Sequence, residues 1–254
     1  MNARGLFAAL LLSAALTACT SQSQPQAQSQ AQRPDFSGFW NLSRNAGEHD
    51  PALEKLLPEG TVEMKDTGAA EFGPMVFGGL ELTPAAAAAA RDWKPEIEMT
   101  LERVCRIPSI VYAVQGPFPI EIFQDTNLMV MRLEYFDMTR VIFLDGRDPN
   151  PEGMPNTKTG YSVGHFEGDV LVVTTTHLKE ATITNNGLEH SDQMRVIERF
   201  RLSEDGKTLH ATQEYEDPVM LENRGVRYIN WTRVDGDHVH AYDCDPTFVE
   251  EYAK

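Results

Sequence analysis

Glu198 carries the most chemical promise in this chain. Residues 194–202 alternate, so Met194, Val196, Phe200 and Leu202 share one face of a strand with Glu198. A carboxylate on an apolar face is costly unless it is paired or put to use. The turn residues Asp205-Gly206 predict a hairpin that sets Glu198 near Gln213, with Tyr215 one step further along the same face. A second hairpin through Asp235-Gly236 would pair Trp231 with His240, Ile229 with Tyr242 and Arg227 with Cys244, all six facing one way. Two chemistries fit. As a general acid or base, Glu198 would work with His240 and Tyr242 as proton donors or relays. As a structural group, it would pair with Arg227 inside the fold. A slip of one residue in register would reverse each face.

The elements that must position these groups are strands. From residue 119 onward the pattern alternates every two residues, predicting strands near 120–124, 127–135, 139–144, 160–166, 169–177, 194–202, 208–216, 226–234 and 237–243. Gly168-Asp169, Asp205-Gly206 and Asp235-Gly236 mark tight turns, so an antiparallel meander is expected. Closure into a barrel or strongly curved sheet removes its exposed edges. Ahead of it, Phe36-Ser37-Gly38-Phe39-Trp40 reads as a short strand. Thr83-Pro84 before six alanines gives a capped helix that stops before Pro95, and short helices are expected over Pro51–Leu57 and Glu96–Cys105. The fold class is therefore mainly β, with one or two short N-terminal helices.

The charge is acidic, 38 Asp plus Glu against 22 Lys plus Arg. This argues against a nucleic-acid partner, which needs a basic footprint, and against broad docking on anionic lipid. The seven histidines are scattered; His238 and His240 share parity without an evident third ligand, so no metal site is expected. No phosphate loop, dinucleotide fingerprint or zincin helix is present, and no cofactor is expected. The pentapeptide Gly160-Tyr161-Ser162-Val163-Gly164 matches a nucleophile elbow in letters only, because Ser162 falls inside a strand that leads into a hairpin.

The N-terminus reads as an export signal: Arg4, a short apolar run from Gly5 to Leu16, then small residues. The run is shorter than the roughly 20 residues a spanning helix needs. Leu16-Thr17-Ala18-Cys19 resembles a bacterial lipoprotein lipobox. The resemblance implies that residues 1–18 are removed and that Cys19 carries lipid, which would attach the protein to a membrane without spanning it. Residues 19–33 are almost wholly Ser, Gln, Ala, Thr and Pro, a flexible tether before a single domain over 34–254. Thr20 is not the Asp that favours inner-membrane retention in some bacteria, so the periplasmic face of the outer membrane is expected. Export to an oxidising compartment leaves Cys105 and Cys244 to form a disulfide, or to remain as two buried thiols.

Two further resemblances bear on the domain. Gly38-Phe39-Trp40 is similar to the Gly-x-Trp of the first strand in lipocalins and related calycin barrels, which fold around a small-molecule cavity. Gly160 to Val173, together with Arg140 through Asp145-Gly146-Arg147, Glu198-Arg199-Phe200 and Glu216-Asp217-Pro218, resembles a family of exported bacterial β-rich proteins of unknown function. That family's hallmark is Gly-x-Ser-x-Gly-x-Trp-Glu-Gly-Asp-Thr-Leu-Val-Val-Asp-Thr. Phe166, Val170 and Thr174 depart from it, as do Asp148 and the ending Tyr242-Asp243-Cys244-Asp245. These readings converge on a small, mainly apolar or amphipathic ligand in a barrel mouth lined by Trp40, Phe166, Trp231 and Tyr242. Glu198, Arg227, His240, Tyr215 and Gln213 would orient its polar groups. A cofactor-free isomerase, lyase or hydrolase using Glu198 with His240 or Tyr242 is the alternative, and a structural or assembly lipoprotein a third; the sequence leaves a protein partner open.

Overall fold

In the computed structural model, residues 33–43, 48–65 and 72–252 are described. The expected signal peptide, Cys19 and the tether up to residue 32 lie outside the described residues. From Gln32 onward the chain forms one compact unit.

Its centre is a closed, nine-stranded barrel. Around the wall run β1 (Gly38–Leu42), β3 (Ile120–Gln124), β4 (Leu128–Leu133), β5 (Met138–Phe143), β6 (Tyr161–Glu167), β7 (Val170–Thr176), β10 (Arg195–Leu202), β11 (Thr208–Glu216) and β12 (Gly225–Val234), with β12 pairing back onto β1. The two-residue strand β2 (Val62–Glu63) adds in parallel to β12. A separate hairpin, β8 (Ala181–Thr184) and β9 (Leu188–His190), stands off the barrel. Among the described residues, α1 (Pro51–Glu54), α2 (Pro84–Asp92), α3 (Pro95–Glu98) and α4 (Ile110–Ala113) lie in the connections and α5 (Val249–Tyr252) follows the last strand. Thr83 caps α2 as its sequence predicts, its Oγ1 accepting from the Ala86 amide at 3.3 Å. The helix expected over Glu96–Cys105 is only the single turn of α3.

The strand periodicity locates every barrel strand from β3 to β12, and the barrel is borne out. Two connections differ from a simple meander. β5 and β6 run parallel, which requires a long crossover, and residues 144–160 supply it. The strand expected over 237–243 does not form. The free edge of β12 is taken by β1, with Leu42 opposite Trp231 and Phe39 opposite Val234. Residues 237–245 instead run as a strap along the outside of β3 and β4. His238 Nδ1 lies 2.6 Å from Glu121 Oε1, and the His240 and Tyr242 amides donate to Glu134 (2.9 Å) and Asp137 (3.0 Å). The pairings expected of Trp231 with His240, Ile229 with Tyr242 and Arg227 with Cys244 are therefore absent. Arg132 meets Glu121 at 3.4 Å, while Glu134 serves the strap.

The barrel has two distinct ends. At the entry end the chain arrives through Pro34 and Phe36, and the turns at Thr126, Gly168 and Gly206 are found there. At the opposite end α4 seats Gln115 against the inner wall, where its amide donates to Tyr215 Oη at 3.1 Å. The strap returns the C-terminal chain to that end, and Cys244 is joined to Cys105 with their Cα atoms 5.8 Å apart.

Candidate functional site

Inside the barrel, strand alternation turns Arg140, Ser162, Thr175, Glu198, Gln213, Tyr215 and Arg227 inward on successive strands, each of them buried. They form one polar belt. Arg140 donates to both carboxylate oxygens of Glu198, to Ser162 Oγ at 3.0 Å and to Thr175 Oγ1 at 2.6 Å. Glu198 stands opposite Gln213, whose amide donates to it at 3.4 Å. Tyr215 Oη donates to Gln213 at 2.6 Å and accepts from Arg227 at 3.0 Å. The counter-ion of Glu198 is therefore Arg140, where the sequence pointed to Arg227; Arg227 joins the belt further along. Ser162 is held in this belt within β6, with no strand-to-helix turn.

The expected site does not assemble. The belt buries Glu198, whereas His240 is exposed and Tyr242 half-buried on the outer strap. Burial also raises the Tyr242 phenol above its usual pKa, making it a poorer proton donor. The missing strand at 237–243 is the cause, since only a β12 hairpin would have turned these two residues inward. Trp40, Phe166 and Trp231 do gather towards the entry end, but the chain itself fills that mouth. Phe36 stacks on Phe166 with ring centroids 6.3 Å apart. Trp40 donates its indole N–H to Phe36 O at 3.0 Å, and the Arg233 guanidinium sits 4.3 Å over its ring. Trp40 and Trp231 are fully buried core residues. Among the described residues no group of three side chains is placed to hold a metal ion.

An open concave surface lies at the other end. A groove of about 690 Å³ runs between α2–α3, the segment 99–108, α4 and the β8–β9 hairpin. Its apolar lining includes Trp93, Ile97, Met99, Tyr112, Tyr135 and Phe136. Irregular backbone builds much of it. Gly187, at φ +94°, turns the β8–β9 hairpin so tightly against Trp93 that a Cβ there would lie 2.4 Å from Trp93 Cβ. Phe136 and Asp137 adopt left-handed conformations (φ +56° and +52°), uncommon for such side chains. They hold Phe136 in an aromatic cluster with Tyr135 and Tyr242, Phe136 stacking on Tyr242 at 4.8 Å. Burial, with Tyr112 and Tyr242 nearby, pushes the Tyr135 phenol well above its usual range, so it stays protonated. Of the residues singled out in the sequence, Tyr242 comes near the groove, behind Tyr135 and Phe136, and Cys105 lies at its rim between the lining residues Val104 and Arg106. Asn186-Gly187 is a turn signal that marks the groove's hairpin in the sequence, but the irregular segment 99–108 has no periodicity to reveal it.

Ser109 and His190 lie next to the groove-lining residues Pro108 and Glu189, and both are fully buried. His190 Nδ1 lies 2.9 Å from Ser191 O, so it carries the proton, and Nε2 accepts from Ser109 Oγ at 2.8 Å. The pair ties α4 to β9. Burial holds the imidazole below its ordinary pKa, so it is neutral in the fold. The unfolded chain binds a proton there below about pH 6.5, so the contribution of His190 to stability is complete above that pH and is lost as the pH falls further. His190→Gln is expected to flatten the fall in Tm between about pH 7 and about pH 5. An unchanged slope would assign that fall to other groups.

The comparisons with known proteins leave the site to its geometry: no protein-family model and no curated protein sequence matches this chain.

Proposed function

We propose that this is an exported, lipid-anchored binding protein that holds a small, mainly apolar molecule in the groove at the end of the barrel remote from its N-terminal entry. The observation that carries the reading is the groove itself. Its volume of about 690 Å³ suits a small ligand, and its walls combine aromatic and aliphatic side chains with six charged ones. The barrel acts as scaffold rather than container, because its interior is filled by large side chains and the buried polar belt. Export is supported by the signal-like N-terminus and by the Cys105–Cys244 disulfide, a bond of oxidising compartments. Cys19 would carry the lipid, at the periplasmic face of the outer membrane.

Native mass spectrometry of the protein released in detergent from bacterial membranes tests both parts. The expected mass begins at an acylated Cys19 and includes a small bound molecule. Ala89→Trp, a change at an exposed helix position on the groove wall, is expected to abolish the bound mass while the fold persists. A chain beginning at Met1 would overturn the anchor. A bound molecule that survives Ala89→Trp would overturn the groove as its site.

A further inference from the structure

We propose that the groove selects apolar molecules that end in a carboxylate, held between Arg106 and Lys158; this rests on the groove being the binding site. Both side chains line the groove. Both sit at the open end of the β8–β9 hairpin, Arg106 4.0 Å from Glu189 and Lys158 bonded to the Glu180 carbonyl, and burial and then the Arg106 charge lower the Lys158 pKa. The groove lining carries three cations, Arg103, Arg106 and Lys158, against three acids, in a chain whose net charge is −16.

Their local partners leave room for an anion. The acids of the lining are Asp92, Glu98 and Glu189. Glu98 is engaged by Arg103 through two hydrogen bonds, at 2.8 and 3.3 Å. Glu189 lies 4.0 Å from Arg106, at the outer limit of an ion pair. Lys158 gives one hydrogen to the Glu180 carbonyl at 2.8 Å, and an ammonium has three to give. A carboxylate between them would take a forked pair of hydrogen bonds from the Arg106 guanidinium and a single bond from Lys158. It would also offset two like charges that line the same groove. The tail then lies along Tyr112, Tyr135 and Phe136. A cationic head would meet repulsion at the same point, and a neutral hydroxyl would accept a hydrogen bond without the forked pair or the attraction of opposite charge.

Three probes with one tail test this: dodecanoate, dodecanol and dodecyltrimethylammonium, each below its micellar concentration. The protein is the compact unit from Gln32 to Lys254 with its disulfide intact. Of the three tryptophans, Trp93 lines the groove while Trp40 and Trp231 are buried in the core, so quenching of its emission reports binding. Dodecanoate is expected to bind at least about tenfold more tightly than dodecanol, with the cationic probe weakest. Lys158→Met with Arg106→Gln should bring dodecanoate down to the affinity of dodecanol and leave dodecanol unchanged. Equal affinity for acid and alcohol, or a preference that survives the double substitution, overturns the carboxylate proposal and leaves the groove reading standing. Binding of none of the three probes overturns both.

Discussion

Replacing Glu198 with Leu is expected to lower the free energy of unfolding by about 3–5 kcal/mol, measured by urea denaturation at neutral pH. The reason is what remains. Arg140 is 1 % exposed and Glu198 3 % exposed at their side chains. Without the carboxylate, the guanidinium keeps only the Ser162 and Thr175 hydroxyls in an interior closed by α4 at one end and by Phe36 at the other. Arg140→Met should cost a similar amount, because it strands a buried carboxylate with the Gln213 amide at 3.4 Å as its partner. The double variant Arg140→Met, Glu198→Leu removes both charges and fills the same space, and should recover most of the loss. This non-additivity separates a structural pair from a catalytic one. Singles that each cost under about 1 kcal/mol would place the pair in contact with water and sink the account of the belt.

Removal of the disulfide by Cys105→Ser with Cys244→Ser is the second large effect expected, a loss of about 2–4 kcal/mol. The bond closes a loop across 139 positions of sequence, which constrains the unfolded chain strongly. In the folded protein it ties the rim of the groove to the outer strap. Without it the strap keeps its bonds to the buried Glu121, the half-buried Glu134 and the exposed Asp137. Wild-type protein in reductant should then unfold at the same urea concentration as the double Ser variant. A double variant as stable as oxidised wild type would show that these bonds alone fix the strap.

The barrel wall was legible because its two signals are local: alternation along each strand and glycine-bearing turns between strands. Residues 237–243 alternate equally well, with Val239 and Ala241 between polar neighbours, yet form no strand. A distant segment, β1, occupies the edge they would have needed, and that competition is invisible to hairpin reasoning. Arg140 carries the same signal as Glu198. It sits between Met138 and Ile142 on an inward face, so the charged pair could be read as two exceptions to one pattern. Which two charges would meet was not legible, because Arg140 reaches Glu198 across β6 and β7. The groove was the least legible part. Its walls come from short turns around Pro95 and Pro108 and from the strained pair Phe136 and Asp137, none of which repeats with a period.

The position of β1 has a mechanical consequence. This strand is hydrogen-bonded along both edges, to β3 and to β12, and the chain enters it at one end of the barrel. Tension applied through residue 33 along the barrel axis therefore draws β1 lengthwise between its neighbours. All of its hydrogen bonds share the load in shear and cannot open one at a time like a zipper. Phe36, wedged against Phe166 and bonded through its amide to Gln124, adds a brake ahead of the strand. Under the N-terminal anchoring proposed above, the pull would arrive at the strand arranged to resist it, at the end of the barrel opposite the groove.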